Sequence, residues 1–423
     1  RTSVPNGELT DPAETDRRLQ GAVKRAFYRA AMGIGLPHRP WGMLTGVRPG
    51  KLMTPLLAQG LNDAQAARQF ERQYDVSPAR ADLVVRTAHA TLRAMESLGS
   101  KDVCLYVGIP FCPTRCAYCS FVSQSVEKSM ALVPEFLQAL AREIAATAEA
   151  VRRAGLRVVS LYIGGGTPTT LSARQLDALC TQLAAAFDLS ALREFTVEAG
   201  RPDTITADKL QVLRAHRVDR ISVNPQTLDD RVLDTIGRRH TAQDIYDALR
   251  LVRETGGFAV NMDLIAGLPG DTPDGFRATL EQVLALAPEN ITVHTLSRKR
   301  GSNLMAQDAP IPDGAAVGEM LDFAGTVLPR AGYAPYYLYR QKFMSGGFEN
   351  VGWTRPGQEN LYNICIMEEL CSILAMGGGA STKLVRPNGG RLERHIDPKY
   401  PTEYIANIDR ICAAKAELEA FFQ

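Results

Sequence analysis

Between residue 102 and about residue 300 the chain repeats one pattern: a short apolar run, a Gly/Pro-rich or polar loop, and an amphipathic helix. The apolar runs are CLYVGIPF (104–111), VVSLYIGGG (158–166), EFTVEAG (194–200), RISVNPQ (220–226), FAVNMDLIAGLPG (258–270) and NITVHTLS (290–297). Strands that are apolar throughout and alternate with helices form parallel sheets covered on both faces. The pattern therefore predicts an α/β fold built from six β/α units.

Six β/α units can form either an open doubly wound sheet or a partial barrel. Unusual residues stand repeatedly where these strands end, and in barrels that end is the catalytic face. We therefore predict a partial (β/α)6 TIM-like barrel. The helices expected between its strands cover residues 130–154, 172–186, 206–215, 241–255 and 273–286.

The regions on either side lack this alternation, which predicts a helical N-terminal region (1–101), the barrel (102–300) and an α+β C-terminal extension (301–423) that covers the barrel mouth. Ser77 is the expected N-cap of the last N-terminal helix, with Pro78 in its first turn. The other expected elements are N-terminal helices at 14–33, 63–74 and 78–98, C-terminal helices near 313–330 and 361–375, and a strand-like segment at 332–341.

The bulk composition is that of an ordinary globular protein, with 45% hydrophobic and 22% charged residues. A formal net charge of +2 gives little general attraction to nucleic acid. No uninterrupted apolar run approaches the ~20 residues that a membrane-spanning helix needs. The N-terminal segment is polar, does not start with Met and lacks the apolar core of a signal peptide. We expect a cytoplasmic protein without nucleic-acid or membrane partners; its oligomeric state stays open.

Three of the eight cysteines follow the first strand in the order Cys112-x3-Cys116-x2-Cys119. Clustered cysteines in a long, Cys-poor chain bind metal or do redox work. Three thiolates would leave one iron of a [4Fe–4S] cluster open to a ligand. The alternatives are three buried thiols or structural zinc, but zinc needs a fourth ligand and no His lies in the loop. The other cysteines are interpreted as buried apolar fillers, namely Cys104, Cys180, Cys365, Cys371 and Cys412.

Glycine or polar residues follow the later strands in turn. Three consecutive glycines end the second strand and let the backbone approach a ligand closely. Two carboxylates stand at a strand end or inside an apolar run, where an unpaired charge is disfavoured. Taken singly, each residue is more often structural, but their order along successive strands predicts one site. In chain order they are Gly164, Gly165, Gly166, Thr167, Glu198, Gln226, Arg238 and Asp263.

The cysteine loop after the first strand resembles the signature of the radical S-adenosylmethionine (SAM) superfamily. In that family three cysteines hold a [4Fe–4S] cluster whose open iron binds SAM, and a 5′-deoxyadenosyl radical abstracts hydrogen from an unreactive C–H bond. The glycine turn is similar to the family's GGGTP element, which contacts the SAM amino group. Tyr118 matches the family's aromatic residue beside adenine, and a core aromatic is its alternative interpretation.

The stretch from Val103 to about Ser297 resembles the oxygen-independent coproporphyrinogen III oxidase family, and the flanks resemble its HemZ-type dehydrogenases. The matching segments include YVGIPFCPTRCAYCSF, YIGGGTPTTL, VEAGRPDTI, NPQTLDDRVLDTIGRRH and NMDLIAGLPGDT, with the flanks LTGVRPGKLM, YYLYRQKFMSGGFENVGW and LYNICIMEEL. The resemblance implies that SAM is contacted by Tyr106, Gly165, Thr167, Glu198, Gln226, Arg238 and Asp263. It also makes Thr295 the position to watch for a second SAM.

The resemblance implies oxidative decarboxylation of two propionates of coproporphyrinogen III, giving protoporphyrinogen IX in porphyrin and haem biosynthesis. A reducing electron donor such as flavodoxin or ferredoxin is then expected as a partner. Because the tetrapyrrole is a tetracarboxylate, cationic residues are expected near the barrel mouth, although solvated surface charge is the commoner role of such residues. The candidates are Arg298, Lys299, Arg300, Arg340, Lys342 and Lys383.

The sequence departs from the family's pattern at two places, and these departures leave alternative functions open. The better-known oxidases have a further Cys at the place of Phe121. The family also includes a haem chaperone whose His-Asn-x-x-Tyr-Trp element matches Glu349-Asn350-Val351-Gly352-Trp353 here. Glu cannot act as a neutral imidazole ligand, which argues against a chaperone. A radical SAM enzyme that methylates haem or opens its ring is a further alternative.

Overall fold

The computed structural model describes residues 12–36, 38–119, 124–125, 129–297, 310–341, 344–386 and 392–422. Its N-terminal part is helical, as the sequence predicts. The helices are α1 (Pro12–Gly33), α2 (Gly50–Ala58), α3 (Asp63–Tyr74) and α4 (Pro78–Ser97). Ser77 does occupy the N-cap of α4, but its side chain makes no capping hydrogen bond, so Pro78 at the first turn is the signal that starts this helix.

The β/α alternation follows in the predicted order. The strands are β1 (Asp102–Ile109), the short pair β2 (Phe111–Cys112) and β3 (Gln124–Ser125), and then β4 (Arg157–Gly165), β5 (Glu194–Glu198), β6 (Arg220–Ser222), β7 (Ala259–Ala266) and β8 (Asn290–Thr295). The helices are α5 (Val133–Arg153), α6 (Ala173–Ala186), α7 (Ala207–Ala215), α8 (Asp230–Thr235), α9 (Ala242–Thr255) and α10 (Pro273–Ala285). Side-chain caps from Ser172, Thr241 and Thr272 fix the starts of three of them.

The C-terminal region is α+β. Its helices are α11 (Gly314–Arg330), α12 (Leu361–Glu368), α13 (Pro401–Ala406), α14 (Ile408–Ala416) and α15 (Glu419–Phe422). Its strands are β9 (Ala334–Arg340), β10 (Glu349–Thr354), β11 (Ser372–Gly377), β12 (Ser381–Leu384) and β13 (Glu393–Ile396).

The predicted helix over residues 361–375 is wrong in its second half. Helix α12 ends at Glu368, because Glu369 adopts a left-handed conformation with φ 56° and its amide closes the last turn on Cys365. The apolar run that follows is the strand β11, whose six residues are all buried. An apolar run of this length is compatible with either a helix or a strand, and here its pairing with β1 makes it a strand.

Eleven strands of the described residues form one sheet, in the order β13-β12-β11-β1-β4-β5-β6-β7-β8-β10-β9. The pairs from β11 to β8 are parallel, and antiparallel strands flank them on both sides. The predicted partial barrel with a helical N-terminal region and an α+β extension is confirmed. The C-terminal extension contributes strands to the same sheet, because β11 pairs with β1 in a register that runs from the pair Val103 and Ser372 to the pair Gly108 and Gly377.

The largest group of buried apolar side chains joins the parallel strands to the helices outside them, including Leu105, Ile163, Val197, Leu264 and Leu280. A smaller group contains α12, β9 and the inner side of α4. No helix within the described ranges has the length and apolar character that a membrane-spanning segment requires.

Candidate active site at the carboxyl end of the sheet

The cysteine loop leaves the sheet at the carboxyl end of β1 and is held at both its ends. Cys112 closes β2, which pairs in parallel with β3 and so fastens the loop's first residue. Further along, the Cys119 amide donates to the Cys116 carbonyl at 3.1 Å, and the Ala117 amide donates to Ile236 at 3.0 Å. The loop therefore has a defined backbone, and its second half is fixed to the end of α8.

Two buried arginines face the second cysteine. Arg201, only 3% exposed, lies with Nη1 3.7 Å from the Cys116 sulfur and 3.0 Å from the Thr114 hydroxyl. Arg238, 8% exposed, hydrogen-bonds Cys116 and the Tyr118 hydroxyl and donates to the Asn224 carbonyl at 2.6 Å. Thr167 donates to the Cys112 sulfur at 3.5 Å. Arg201 also pairs with the Asp203 carboxylate at 3.2 Å. Buried guanidinium groups need anionic partners, and cluster-ligating thiolates would supply one for Arg238.

The three sulfurs are not spaced as ligands of one zinc ion would be. Thiolates bound to one zinc at about 2.3 Å lie about 3.8 Å from one another. Among the described residues, Cys112, Cys116 and Cys119 do not form a trio whose sulfurs all lie within 4.8 Å of one another. In a [4Fe–4S] cube each thiolate binds a different iron, so the sulfurs stay apart. The loop fits a cluster better than zinc.

The glycine turn packs directly against the base of the cysteine loop. A Cβ at Gly166 would lie 2.5 Å from the Phe111 carbonyl oxygen, and one at Gly164 would lie 2.9 Å from the Glu198 carboxyl carbon. Gly165 has φ 107°, a conformation that L side chains rarely adopt. Only glycines therefore allow the ends of β1, β4 and β5 to meet this closely.

Glu198 is held between the turn and the barrel interior. The Tyr162 hydroxyl donates to one carboxyl oxygen at 2.5 Å, and the Gly165 amide donates to the other at 3.1 Å. Burial raises the pKa of Glu198 to about 7, with nearby Asp263 also raising it and the two hydrogen bonds opposing the rise. Because the pKa of this carboxyl group lies near 7, a cation that binds beside it would stabilise its ionised form.

Asp263 is kept ionised by its neighbours. Burial alone would raise its pKa, but His294, Asn261 and Thr292 outweigh that effect and hold the pKa below the usual value. His294 Nε2 lies 3.7 Å from Asp263 Oδ2, and the Tyr339 hydroxyl lies 3.5 Å from His294 Nδ1. The two carboxylates at this end of the sheet thus have opposite pKa shifts.

Gln226 has a strained backbone, with φ 66° in the left-handed region that non-glycine residues seldom adopt. Its amide donates to the Asp263 carbonyl at 2.9 Å and its own carbonyl accepts from Ile265 at 3.0 Å. These bonds to β7 hold the strained residue in place, and strain of this kind is concentrated at functional sites.

A cavity of about 240 Å³ opens between these strand ends. It joins residues from the cysteine loop to residues from β7, β8, β9 and β10. The polar and aromatic side chains that line it are Tyr118, Cys119, Gln226, Asp263, His294, Thr295, Ser297, Tyr339, Gln341 and Asn350. Below the strand ends the barrel interior is filled by stacked rings of Tyr106, Tyr162 and Tyr362, with centroid distances from 4.4 to 6.1 Å.

The structure brings the predicted residues together in adjoining groups. Tyr118, Cys119, Gln226 and Asp263 share the cavity. Glu198 touches the glycine turn, beside which the Tyr106 hydroxyl lies 3.3 Å from a Cβ built at Gly165. Their roles as SAM contacts stay predictions. Thr295 is buried, and its hydroxyl donates to the Glu349 carbonyl at 2.7 Å, so this group is already engaged.

Sequence reasoning missed several residues of the site, of which Arg201 and His294 are the most informative. Arg201 stands three residues after Glu198, just past the strand end, where no pattern distinguishes it from a surface arginine. His294 interrupts the apolar run NITVHTLS as Asp263 interrupts its own run, and that signal could have identified it.

Two of the expected cationic residues, Arg340 and Lys383, lie within the described residues and make contacts with other parts of the protein. Arg340 donates to the carbonyls of Leu44 and Gly347 and stacks over Trp41 at 4.9 Å, and the Lys383 ammonium donates to the Ile366 carbonyl. Both are therefore engaged in structural contacts. Arg298, Lys299, Arg300 and Lys342, like Phe121, lie outside the described residues.

The position that corresponds to the chaperone's histidine points into the protein core. Glu349 is 2% exposed, pairs with Arg80 at 2.8 Å and accepts a 2.6 Å hydrogen bond from the Trp41 ring nitrogen. The adjacent Asn350 instead lines the cavity, and its side-chain oxygen accepts from the Thr295 amide at 2.8 Å. Glu349 therefore ties the N-terminal region to β10.

Comparison with known proteins agrees with this arrangement. The family model of the Radical SAM superfamily matches residues 106–283. The oxygen-independent coproporphyrinogen-III oxidase-like protein HemZ of Bacillus subtilis is 39% identical over 422 residues, which cover 97% of this chain and 84% of that relative. The heme chaperone HemW of Lactococcus lactis is 29% identical over 320 residues, or 74% and 78% of the two chains. The solved structure of the coproporphyrinogen III oxidase HemN from Escherichia coli, a radical SAM enzyme, matches with TM-score 0.57 and 25% identity over 76% of this chain and 72% of that one.

Proposed function

This chain belongs to the radical SAM superfamily, and we propose that it oxidatively decarboxylates two propionate side chains of coproporphyrinogen III to give protoporphyrinogen IX. Its cofactors are those of the superfamily, a [4Fe–4S] cluster and SAM. The cluster ligands are Cys112, Cys116 and Cys119, on the loop whose sulfur spacing and arginine partners fit a cluster. The substrate is supported by the HemZ relative, which aligns with nearly the whole chain and is named as an oxygen-independent coproporphyrinogen-III oxidase-like protein.

One observation carries the proposal. The cavity joins the third cluster cysteine and the predicted SAM contacts Gln226 and Asp263 to side chains that belong to none of the predicted cofactor contacts, His294, Tyr339 and Asn350. A radical formed beside Cys119 would therefore meet a substrate held by the second group. Enzymes that generate radicals need such adjacency because a radical must reach its target before it reacts elsewhere.

When bound, the cofactors supply a radical that removes a hydrogen atom from the propionate β-carbon. The chain's own groups hold charges at the points where this chemistry needs them. Arg201 and Arg238 stabilise the anionic cysteine loop, and the ionised Asp263 together with Glu198 offers carboxylates to the cationic part of SAM. Stacked tyrosines close the barrel interior below and exclude water.

His294 is our candidate for the substrate side of the cavity. Its ring lines the cavity and lies between Asp263 and the Tyr339 hydroxyl. A propionate carboxylate entering the cavity would meet the hydrogen-bonding groups of His294 and Tyr339. Loss of the carboxyl group as CO2 leaves one electron on the substrate, which an external acceptor has to remove. Reduction of the cluster is a separate step, and we infer that it depends on a flavodoxin or ferredoxin.

The observation that bears on the chaperone alternative is the environment of Glu349. A haem-ligating side chain must reach the haem iron, whereas Glu349 is buried and engaged by Arg80 and Trp41. We therefore place haem binding second, although the HemW relative shares much of the chain.

The test is an anaerobic assay of reconstituted, reduced protein with SAM and coproporphyrinogen III, with products followed by mass. We expect loss of two CO2 units together with formation of 5′-deoxyadenosine. A Cys116→Ala variant is the matched control and should give neither product. If wild-type protein with an intact cluster forms 5′-deoxyadenosine without decarboxylation, the substrate assignment is wrong, and haem is the next substrate to assay. A protein with an intact cluster that forms neither product, yet binds haem in a spectral titration, would be a chaperone.

A further inference from the structure

Three cysteines that the sequence scatters widely meet in the protein interior. Cys104, Cys365 and Cys371 are all buried free thiols, with exposed fractions of 0%, 0% and 7%. Their sulfurs all lie within 4.8 Å of one another, and Cys104 and Cys371 are 3.6 Å apart. Their interpretation as separate apolar fillers is therefore incomplete. We call these three residues the interior thiol triad.

Three elements with different positions in the chain bring the triad together. Cys104 lies on β1, and Cys371 directly precedes β11, its parallel neighbour in the sheet. Cys365 lies in the last turn of α12, and its carbonyl accepts the amides of Glu369 and Leu370. The left-handed Glu369 therefore reverses the chain between the second and third thiols. The apolar residues around them include Ala94, Ile364 and Ile373.

The distances fit one metal ion held by sulfur. Sulfurs about 2.3 Å from a shared ion lie about 3.8 Å apart in tetrahedral geometry and about 4.0 Å apart in trigonal geometry. The Cys104 and Cys371 sulfurs are 3.6 Å apart, and no two sulfurs of the triad are more than 4.8 Å apart. Both expected separations lie within this range. A disulfide would need about 2.05 Å, so none of the thiols is committed to one.

We propose that the interior thiol triad binds a single soft metal ion of the Cu⁺ class in three-coordinate geometry. Thiolates select Cu⁺, Zn²⁺ and iron–sulfur clusters. Zinc takes four ligands in structural sites, and no fourth His, Cys, Asp or Glu of the described residues joins the triad. Each sulfur that ligates as thiolate releases its proton to solvent, and no electron is transferred.

A surface cleft lies near the triad. It has a volume of about 510 Å³ and is lined by Met95, Leu98 and Leu370, among others. Leu98 and Leu370 also pack against the apolar group that contains the triad, and Leu370 directly precedes Cys371 in the chain. The Met95 side chain is exposed and offers a thioether, a soft ligand that can receive an incoming ion.

The test needs the cluster loop silenced, because that loop would also bind the probe. The full chain carrying Cys112→Ala, Cys116→Ala and Cys119→Ala is incubated anaerobically with Cu⁺ buffered by a chelator and then desalted. Metal content is measured by mass spectrometry of the digested protein. We expect one Cu⁺ retained per chain. Further replacement of all three triad cysteines by Ala should abolish retention, whereas Cys180→Ala, which removes a buried thiol outside the triad, should retain it.

X-ray absorption at the copper edge keeps the proposal testable if the triad variant does not fold. In the parent protein, a first shell of three sulfur atoms is expected. Equal retention with and without the triad, or a shell containing nitrogen or oxygen, would overturn the proposal. A parallel titration with Zn²⁺ is expected to give weaker retention than Cu⁺; the reverse order would overturn the three-coordinate assignment. None of these measurements depends on the decarboxylase activity proposed above.

Discussion

Two buried polar networks in this protein both combine carboxylates with cationic side chains, but they are organised differently. The mouth network contains Glu198, Arg201, Arg238, His240, Asp263 and His294 at the carboxyl ends of the strands. The anchor network contains Glu143 of α5, Asp397, Tyr404 of α13 and Lys415 of α14. Both are almost closed to solvent, yet only one of them is complete without a ligand.

The anchor network pairs its charges within the protein. The Lys415 ammonium lies 2.9 Å from Glu143 and 3.5 Å from Asp397, and it also donates to the Ala375 carbonyl of β11. The other Glu143 oxygen accepts from the Gly377 amide at 2.8 Å. Burial raises the pKa of Asp397 to about 8, with Lys415 opposing the rise and Glu143 adding to it.

The mouth network leaves groups without protein partners. Neither ring nitrogen of His240 has a hydrogen-bond partner within the described part of the chain, and burial with the charges of Arg238 and Arg201 lowers its pKa to about 3. The pKa of Glu198 is raised to about 7, and Gln226 is held in a strained conformation. Unpartnered, pKa-shifted and strained groups are concentrated at functional sites, so this difference supports the proposal that the mouth network binds a ligand and that the anchor network serves the fold.

The largest expected effect separates the two networks by function. Cys116→Ala removes a proposed cluster ligand that Arg201 and Arg238 face, so reductive SAM cleavage should fall by about 10³-fold or more. Thermal unfolding of the cofactor-free chain should change little. Iron content and 5′-deoxyadenosine formation are the measurements, and retention of an intact, active cluster would remove this cysteine from the ligand set.

The next effect concerns stability. Lys415→Met leaves the buried Glu143 carboxylate without its ammonium partner, which should lower the free energy of unfolding by about 3–5 kcal/mol. Denaturant unfolding of the cofactor-free protein measures it. The matched control is Glu143→Gln combined with Lys415→Met, which removes both charges and should recover most of the loss. Equal destabilisation by both variants would show that packing, rather than the ion pair, accounts for the loss.

A smaller effect concerns SAM affinity. Glu198→Gln keeps an acceptor for Tyr162 and Gly165 but removes the charge, so SAM should bind about 10-fold more weakly. Because the pKa of Glu198 is about 7, the carboxylate fraction grows as pH rises through 7. Wild-type affinity should therefore rise between pH 6 and 8, while that of the variant stays flat. Calorimetric titration at several pH values tests both, and parallel pH profiles would exclude Glu198 as the titrating group.

A separate expected effect is the pH dependence of the anchor network. Asp397 has a folded-state pKa near 8 and an unfolded value near 3.8, so its contribution to stability is complete at low pH and is lost as pH rises through about 8. Asp397→Asn resembles the protonated acid and lacks this loss. Its melting temperature relative to wild type should therefore increase from pH 5 to pH 8. A constant difference across that range would mean that Asp397 is ionised throughout.

The sequence predicted the residues of the mouth network far better than those of the anchor network. The reason is that local sequence patterns mark the mouth network, whereas contacts between distant segments form the anchor network. The cysteine spacing, the three glycines and the strand-end polar residues are local signals, and parallel topology places strand ends at one edge. Lys415 and Glu143 come together only because the C-terminal helices pack on α5. The interior thiol triad likewise depends on β11 lying beside β1, in a segment where helix was predicted. Long-range pairing leaves no periodic trace in the chain.

The insertion of β11 beside β1 also fixes an order of events during synthesis. Partners in this parallel pair, such as Val103 and Ser372, are about 270 residues apart, so β1 stays an open sheet edge until most of the chain has left the ribosome. At roughly 5–20 residues per second this interval lasts tens of seconds. The strand that leads into the cysteine loop therefore gains its second neighbour later than β4 to β8 do, and cluster delivery to a finished site has to wait for the C-terminal segment.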